Sequence, residues 1–249
     1  MRPKTEPEIK AMREGGHRLA VILNTLSDEV APGVTGKDIS AHAMELVKKV
    51  GLQPVLLGYE GFPDIMCISV NEAVVHGIPS KTPFKEGDVV KLDLTVGYRT
   101  MVVDSALTIV AGNTESKTDV QRLLKGTKQS LEAGIAAIHG EGTRIGDISS
   151  AIQGLLDKNK LGVVRDLVGH GVGHGVHEGL EIPNYGYPGT GRKLVAGMTL
   201  AIEPMATLGD WRVNLLRDGW TVVSRDRSLT AHFEHTVLIT EDGAEVLTA

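Results

Sequence analysis

Four carboxylates stand inside apolar, strand-like runs, and any fold of this chain has to compensate them. Asp93 lies in Lys91-Leu92-Asp93-Leu94, Asp104 in Met101-Val102-Val103-Asp104, Glu203 between Ala201-Ile202 and Pro204-Met205, and Glu234 between Phe233 and His235. A carboxylate in a half-buried strand is costly unless a cation or dense hydrogen bonding offsets it. One such group can find its own arginine, lysine or turn amides. Four of them point to a common solution.

A second feature supplies a nitrogen ligand. The stretch Gly169-His170-Gly171-Val172-Gly173-His174-Gly175-Val176-His177-Glu178 places three of the nine histidines within eight residues, among four glycines that let backbone come close to whatever the imidazoles hold. If His170 joins the carboxylates, the set carries four negative charges and one imidazole, which two divalent cations balance. Such oxygen-rich ligation with a single imidazole suits manganese, iron, cobalt or zinc. Cys67 is the single cysteine, so neither an intrachain disulfide nor a thiolate zinc cage is available. Water activated by two such ions attacks a carbonyl near neutral pH, so amide hydrolysis is the natural chemistry.

Composition narrows the function classes. The net charge of -5, without clustered Lys and Arg, argues against a dedicated nucleic-acid surface, and three Phe, four Tyr and two Trp are too few for a base-stacking platform. No window reaches the length of a membrane span, and Met1 to Glu6 lacks the apolar run of a signal peptide. A cytoplasmic location is expected, with monomer as the default state.

Hydrophobic spacing predicts a helix from Glu6 to about Leu26, with Gly15-Gly16 as a weak point, and a second helix opened by a capping box at Thr35-Gly36-Lys37-Asp38 and running to Gly51. Residues 59 to 78 read as short strands and a loop. A hairpin follows, Asp88 to Val96 and Met101 to Val110, turning over Gly97 to Thr100 and bringing Asp93 and Asp104 near each other. Two more helices are predicted, roughly Glu115 to His139 and Ile145 to Lys158. Then come strands at Gly162 to Leu167 and Met198 to Glu203, a hairpin from Trp211 to Val223 turning at Asp218-Gly219, and a closing strand from Ala231 to Ile239. Helices then strands, twice over, predicts an α+β chain forming a single domain over 1-249, with similarly built halves of about 1-111 and 112-249.

The ordered motifs Gly61-Phe62-Pro63, Cys67-Ile68-Ser69-Val70-Asn71-Glu72, His76-Gly77-Ile78-Pro79, Asp93 with Asp104-Ser105, Gly169-His170-Gly171, Ile202-Glu203-Pro204-Met205 and Glu234-His235-Thr236 resemble type I methionine aminopeptidases. The resemblance implies the pita-bread fold, two pseudo-symmetric α/β halves enclosing a dimetal site, and cotranslational removal of initiator methionine before a small second residue. It implies that Asp93 is a terminal ligand of one metal, that Asp104 and Glu234 bridge both, and that His170 and Glu203 complete the second. His76 and His177 match two histidines that contact the substrate amide and steady the tetrahedral intermediate, and Glu203 matches a proton shuttle to the leaving amine. Tyr59, Phe62, Cys67 and Trp220 match positions lining a methionine pocket. Partners implied are the N-termini of nascent polypeptides, with transient ribosome contact through the catalytic domain's own surface.

Some positions depart from that pattern: Gly179-Leu180 after the His-Glu pair, Val176 for a common Phe, His174 for a common Arg, and Val103 before Asp104. Two other readings keep the fold. Proline-specific peptidases share the five ligands but carry a large N-terminal domain, whereas the first helix here starts within ten residues of Met1. A non-catalytic binding protein would have lost ligands, and all five are present.

Overall fold

The computed structural model describes residues 1–112 and 118–249. Helix α1 (Glu6–Asp28) starts where the Thr5 N–H donates to Glu8 Oε2 at 2.7 Å, and α2 (Gly36–Lys49) starts at the Thr35 and Asp38 capping box. The Gly15-Gly16 pair does not weaken α1. It is where the helix meets the strands: a Cβ at Gly16 would collide with the Leu247 carbonyl, and one at Gly15 would lie 3.0 Å from Tyr98 Cβ. Helix α3 (Thr118–Ala136) ends before His139, and the start expected at Glu115 lies outside the described residues. Helix α4 (Ile145–Lys158) has the expected bounds.

Among the described residues the main sheet has nine strands. Its path runs Gln53–Pro54, Val89–Tyr98, Met101–Val110, Glu234–Ile239, Thr199–Ile202, Gly169–Gly171 and Glu181–Ile182, with Cys67–Val70 beside Val89–Tyr98 and Ala244–Val246 beside Glu234–Ile239. The seam between the parts before and after α3 is narrow, Glu234 opposite Ala106 and His235 opposite Ser105. Each part has its own core: Met12, Leu19, Ile39, Val47, Leu92 and Leu94 in one, Leu123, Leu131, Ile148, Ile152, Leu200 and Ile202 in the other.

Strand alternation explains how carboxylates and core share these segments. In Val89–Tyr98, Val90, Leu92, Leu94 and Val96 pack into the helix-lined core, so Lys91, Asp93 and Thr95 face the opposite side. The hairpin register sets Asp93 opposite Ala106 and Thr95 opposite Asp104, so the two aspartates are diagonal neighbours. Its turn is tighter than expected: the strands run to Tyr98 and from Met101, leaving Arg99-Thr100 as the loop, with Arg99 at φ 56°.

The strand expected from Ala231 to Ile239 is broken, whereas the one expected at Met198 to Glu203 forms at Thr199–Ile202. Thr230–His232 pairs with Met205–Thr207 in a separate sheet, while Glu234–Ile239 and Thr199–Ile202 belong to the main one. The break at Phe233 faces the turn at Glu203-Pro204, and the Phe233 N–H donates to the Pro204 carbonyl at 3.4 Å. Proline has no N–H to continue a ladder, and the corner it makes sets Glu203 and Glu234 at the ends of two neighbouring strands inside the main sheet. The strand expected over Gly162 to Leu167 forms only at Gly162–Val163.

Lys91 is 1 % exposed, and its ammonium donates to the carbonyls of Asn71 at 2.8 Å, Thr230 at 3.3 Å and Val89 at 3.4 Å and to Thr230 Oγ1 at 3.1 Å. Burial pulls its pKa down to about 7. The side chain thus clips the turn after Cys67–Val70 to the strand before Glu234. Lys91→Met removes these four donations, but the Asn71 carbonyl keeps the Thr230 N–H at 3.1 Å and the Val89 carbonyl keeps the Asn71 N–H at 2.8 Å, so the cost should be about 1–3 kcal/mol. Urea unfolding checks this, and a midpoint equal to wild type would refute the clip.

Candidate metal centre

The five expected ligands come from five successive strands or strand ends of the main sheet. Asp93, Asp104, Glu234, Glu203 and His170 sit, in that spatial order, on Val89–Tyr98, on Met101–Val110, at the start of Glu234–Ile239, just past Thr199–Ile202 and on Gly169–Gly171. All five line one cavity of about 390 Å³, together with Cys67, Thr95, His76 and His177. Ligand atoms of Asp104, His170 and Glu234 lie within 4.8 Å of one another. Glu203 Oε1 is 3.4 Å from His170 Nε2. Asp104 and Glu234 are 5 % and 2 % exposed.

The electrostatics test whether this cluster fits a cation. Among the described residues no lysine or arginine pairs with any of the four carboxylates. Burial and repulsion from Asp104 and Glu203 hold the Asp93 carboxyl well above its ordinary range. Burial and repulsion from Asp104, Glu203 and Asp93 do the same to Glu234, and burial also raises Asp104. Burial raises Glu203 to about 8, against the opposing pull of His170. Asp104 gains hydrogen bonds from Thr95 Oγ1 at 2.9 Å and from the Ser105 backbone N–H, and Asp93 one from the Cys67 thiol. That is too little for buried ionised carboxylates, whereas hard, oxygen-seeking divalent cations suit the donor set.

The two non-ligand histidines approach from different loops. His76 has φ 57°, a conformation uncommon outside glycine, so its ring is aimed into the cavity by a strained backbone of the kind that clusters at functional sites. Its surface is open to the cavity, yet desolvation by the surrounding walls and the neighbouring histidines push its pKa down to about 4. His177 stands with its ring centroid 4.4 Å from that of His170, its Nδ1 is 3.0 Å from Tyr59 Oη, and partial burial lowers its pKa.

Three of the four glycines of the histidine stretch are required by packing against the protein itself. A Cβ at Gly169 would lie 2.5 Å from the Ala201 carbonyl, one at Gly171 would lie 2.8 Å from Met1 Sδ, and one at Gly173 would collide with Lys4. Lys4 Nζ in turn donates to both oxygens of Glu178 at 2.8 and 2.9 Å, anchoring the loop beside His177. His174 continues this network, its Nε2 2.9 Å from Glu8 Oε1.

Cys67 lines the cavity itself, Tyr59 backs His177, and Phe62 packs edge-on against Trp220 at 5.1 Å. Leu56, Val75, Leu167, Val176, Leu180 and Met205 also line the cavity. These are aliphatic residues in ordinary apolar surroundings, and nothing in the sequence separates them from core. Sequence reasoning also missed His232, whose Nε2 is 3.4 Å from Glu203 Oε2. Its position, two residues before Glu234, was the available signal.

This geometry agrees with comparisons to known proteins. The model of metallopeptidase family M24 matches residues 10–241. Methionine aminopeptidase from Clostridium perfringens is 44% identical over 98% of this chain and 97% of its own length, and methionine aminopeptidase 1 from Bacillus subtilis is 42% identical over 98% of each. The chain belongs to metallopeptidase family M24 and, within it, to the methionine aminopeptidases. The crystal structure of the Thermotoga maritima methionine aminopeptidase superposes with a TM-score of 0.96 at 46% identity, covering 100% of this chain and 99% of that one. Prolidase from Pyrococcus furiosus shares the fold, with a TM-score of 0.79 at 22% identity, but this chain covers 65% of it. The fold is therefore the α+β pita-bread arrangement of this family, and the family's metallopeptidase chemistry requires divalent metal ions. Among the described residues, no helix is long and apolar enough to cross a membrane.

Proposed function

We propose that this chain hydrolyses the peptide bond after an N-terminal methionine, acting on nascent polypeptides whose second residue is small. The observation that carries the reading is the convergence of Asp93, Asp104, His170, Glu203 and Glu234 on one cavity without a pairing lysine or arginine among the described residues. In this reading Asp93, Asp104, His170, Glu203 and Glu234 would together hold the divalent ions, Asp104 and Glu234 standing on adjacent strands at the centre of the set. When bound, the ions supply Lewis acidity and lower the pKa of water so that a nucleophile exists at neutral pH.

The chain's own groups do the rest. His76, kept neutral by its surroundings, donates or accepts a hydrogen bond at the substrate amide, and His177, oriented through Nδ1 by Tyr59, steadies the oxyanion as the carbonyl carbon becomes tetrahedral. Glu203, which lines the cavity beside His170, would carry a proton to the departing amine. The aliphatic wall with Cys67 takes the unbranched thioether of methionine. Residues 1-249 act as a single catalytic domain with halves of about 1-111 and 112-249, as a monomer in the cytoplasm, and contact with the ribosome is transient and made by the domain's own surface.

Met-Ala-Ser and Ala-Pro-Ala, assayed with added Mn2+, Fe2+ or Co2+, separate this reading from its rivals. Release of methionine from the first and no cleavage of the second is expected. Preferential cleavage of Ala-Pro-Ala would move the assignment to a proline-specific peptidase, and no turnover with any metal would favour a binding protein.

A further inference from the structure

His232 is 2 % exposed, and among the described residues neither of its ring nitrogens has a hydrogen-bond partner. Buried polar atoms are almost always paired, so two orphans on one ring call for an explanation. The ring is not free to seek partners elsewhere. Its backbone is pinned on both sides of the strand, the N–H donating to Thr108 Oγ1 at 3.0 Å and the carbonyl accepting from the same hydroxyl at 2.5 Å, with Met205 opposite it in the pairing.

What the ring faces is Glu203. His232 Nε2 lies 3.4 Å from Oε2, while His170 Nε2 lies 3.4 Å from Oε1, so the carboxylate lies between two imidazoles, one near each oxygen. Glu203 needs such support. It follows the end of the strand Thr199–Ile202 and precedes Pro204, and its carbonyl is held by the buried Asn184, whose Nδ2 donates at 3.1 Å. That fixes the backbone and leaves the carboxylate plane unset. His232 does not line the cavity, which separates it from the ligand set.

We propose that His232 is a positioning residue for Glu203: its Nε2–H donates to Oε2, fixing the carboxylate plane so that Oε1 is presented beside His170. This rests on the reading of Glu203 as ligand and proton carrier. Partners behind a metal ligand typically change metal affinity or activity by about 10–100-fold when removed.

The test compares His232→Leu, which removes the donor, with His232→Gln, whose amide N–H extends to about where Nε2 stands. Calorimetric titration of the metal-free protein with Mn2+ should show roughly 10–100-fold weaker binding in the leucine variant and recovery of most of it in the glutamine variant. With Met-Ala-Ser, kcat should fall with KM little changed and be restored in the same order. Unaltered Mn2+ affinity in His232→Leu, or equal impairment of both variants, would overturn the proposal. Should the leucine variant fail to fold, His232→Asn replaces it, its amide too short to reach Oε2, and equal affinities of the asparagine and glutamine variants would be decisive against the role. Glu203→Gln, titrated in parallel, separates the two levels. Unchanged affinity there would remove Glu203 as a ligand, whereas weakened affinity there with none in His232→Leu would sink the positioning role alone.

Discussion

Glu203→Gln should lower kcat by about 10³-fold or more, the scale at which enzymes lose a proton carrier and a charge-stabilising group together. KM for a methionyl peptide should change little, because the wall that holds the side chain lies elsewhere, at Leu56, Val75 and Leu167 among others. The fold should survive. Glutamine is close to an isostere of protonated glutamate, and burial already favours the protonated form of Glu203 in the metal-free protein, with a pKa of about 8. The substitution therefore replaces one neutral group by another of nearly the same shape in the metal-free protein at pH 7. His170→Ala should likewise abolish turnover without unfolding the chain, since the strand Gly169–Gly171 keeps its pairing to Thr199–Ile202 through backbone alone. Steady-state kinetics with a thermal melt on the same samples decides it. Turnover within tenfold of wild type in either variant would contradict the assigned roles.

The ligand set was legible because it violates strand chemistry. Asp93 among Leu92 and Leu94, or Glu234 beside Phe233, is conspicuous in a segment whose alternate residues fill a core, and each lies on the cavity side as the period of two requires. The capped helices were legible for a similar reason: Thr35 and Asp38 satisfy each other locally and need nothing from the rest of the fold. What failed to show was tertiary. Gly15-Gly16 reads as a helix weakness until Leu247 and Tyr98 are seen against it. The break at Phe233 divides a strand that reads as continuous, and it is set by contact with the turn at Pro204 rather than by its own segment. The aliphatic lining was hidden for the same reason, since Leu56, Val75 and Leu167 look like ordinary core residues until the cavity is assembled.

Metal uptake should release protons, and that release should reverse the pH dependence of stability on the alkaline side. In the metal-free protein Glu203 titrates near 8 instead of near 4.5, and Asp93 and Glu234 are also raised well above their ordinary values. Between the unfolded and folded pKa values the native state binds more protons than the unfolded one, so stability falls as pH rises across that window. For Glu203 the window runs from about 4.5 to about 8. His232 and His235 work in the opposite sense: each is lowered from 6.5 to about 4 by burial, so the unfolded state binds the extra proton and stability falls as pH drops from 6.5 toward 4. The metal-free protein should therefore lose stability at both ends. Divalent ions bind only the deprotonated carboxylates, so they remove the alkaline loss and leave the acid one, which becomes steeper because protons then compete with metal. Melting temperatures with and without Mn2+ should converge near pH 5 and separate progressively toward pH 8. Titration of Mn2+ at pH 7 in buffers of different ionisation enthalpy should give heats that differ in proportion to the protons released, one or more per chain. Parallel melting curves together with buffer-independent heats would mean that the carboxylates are already ionised and compensated by something other than metal, and the centre would lose its physical basis.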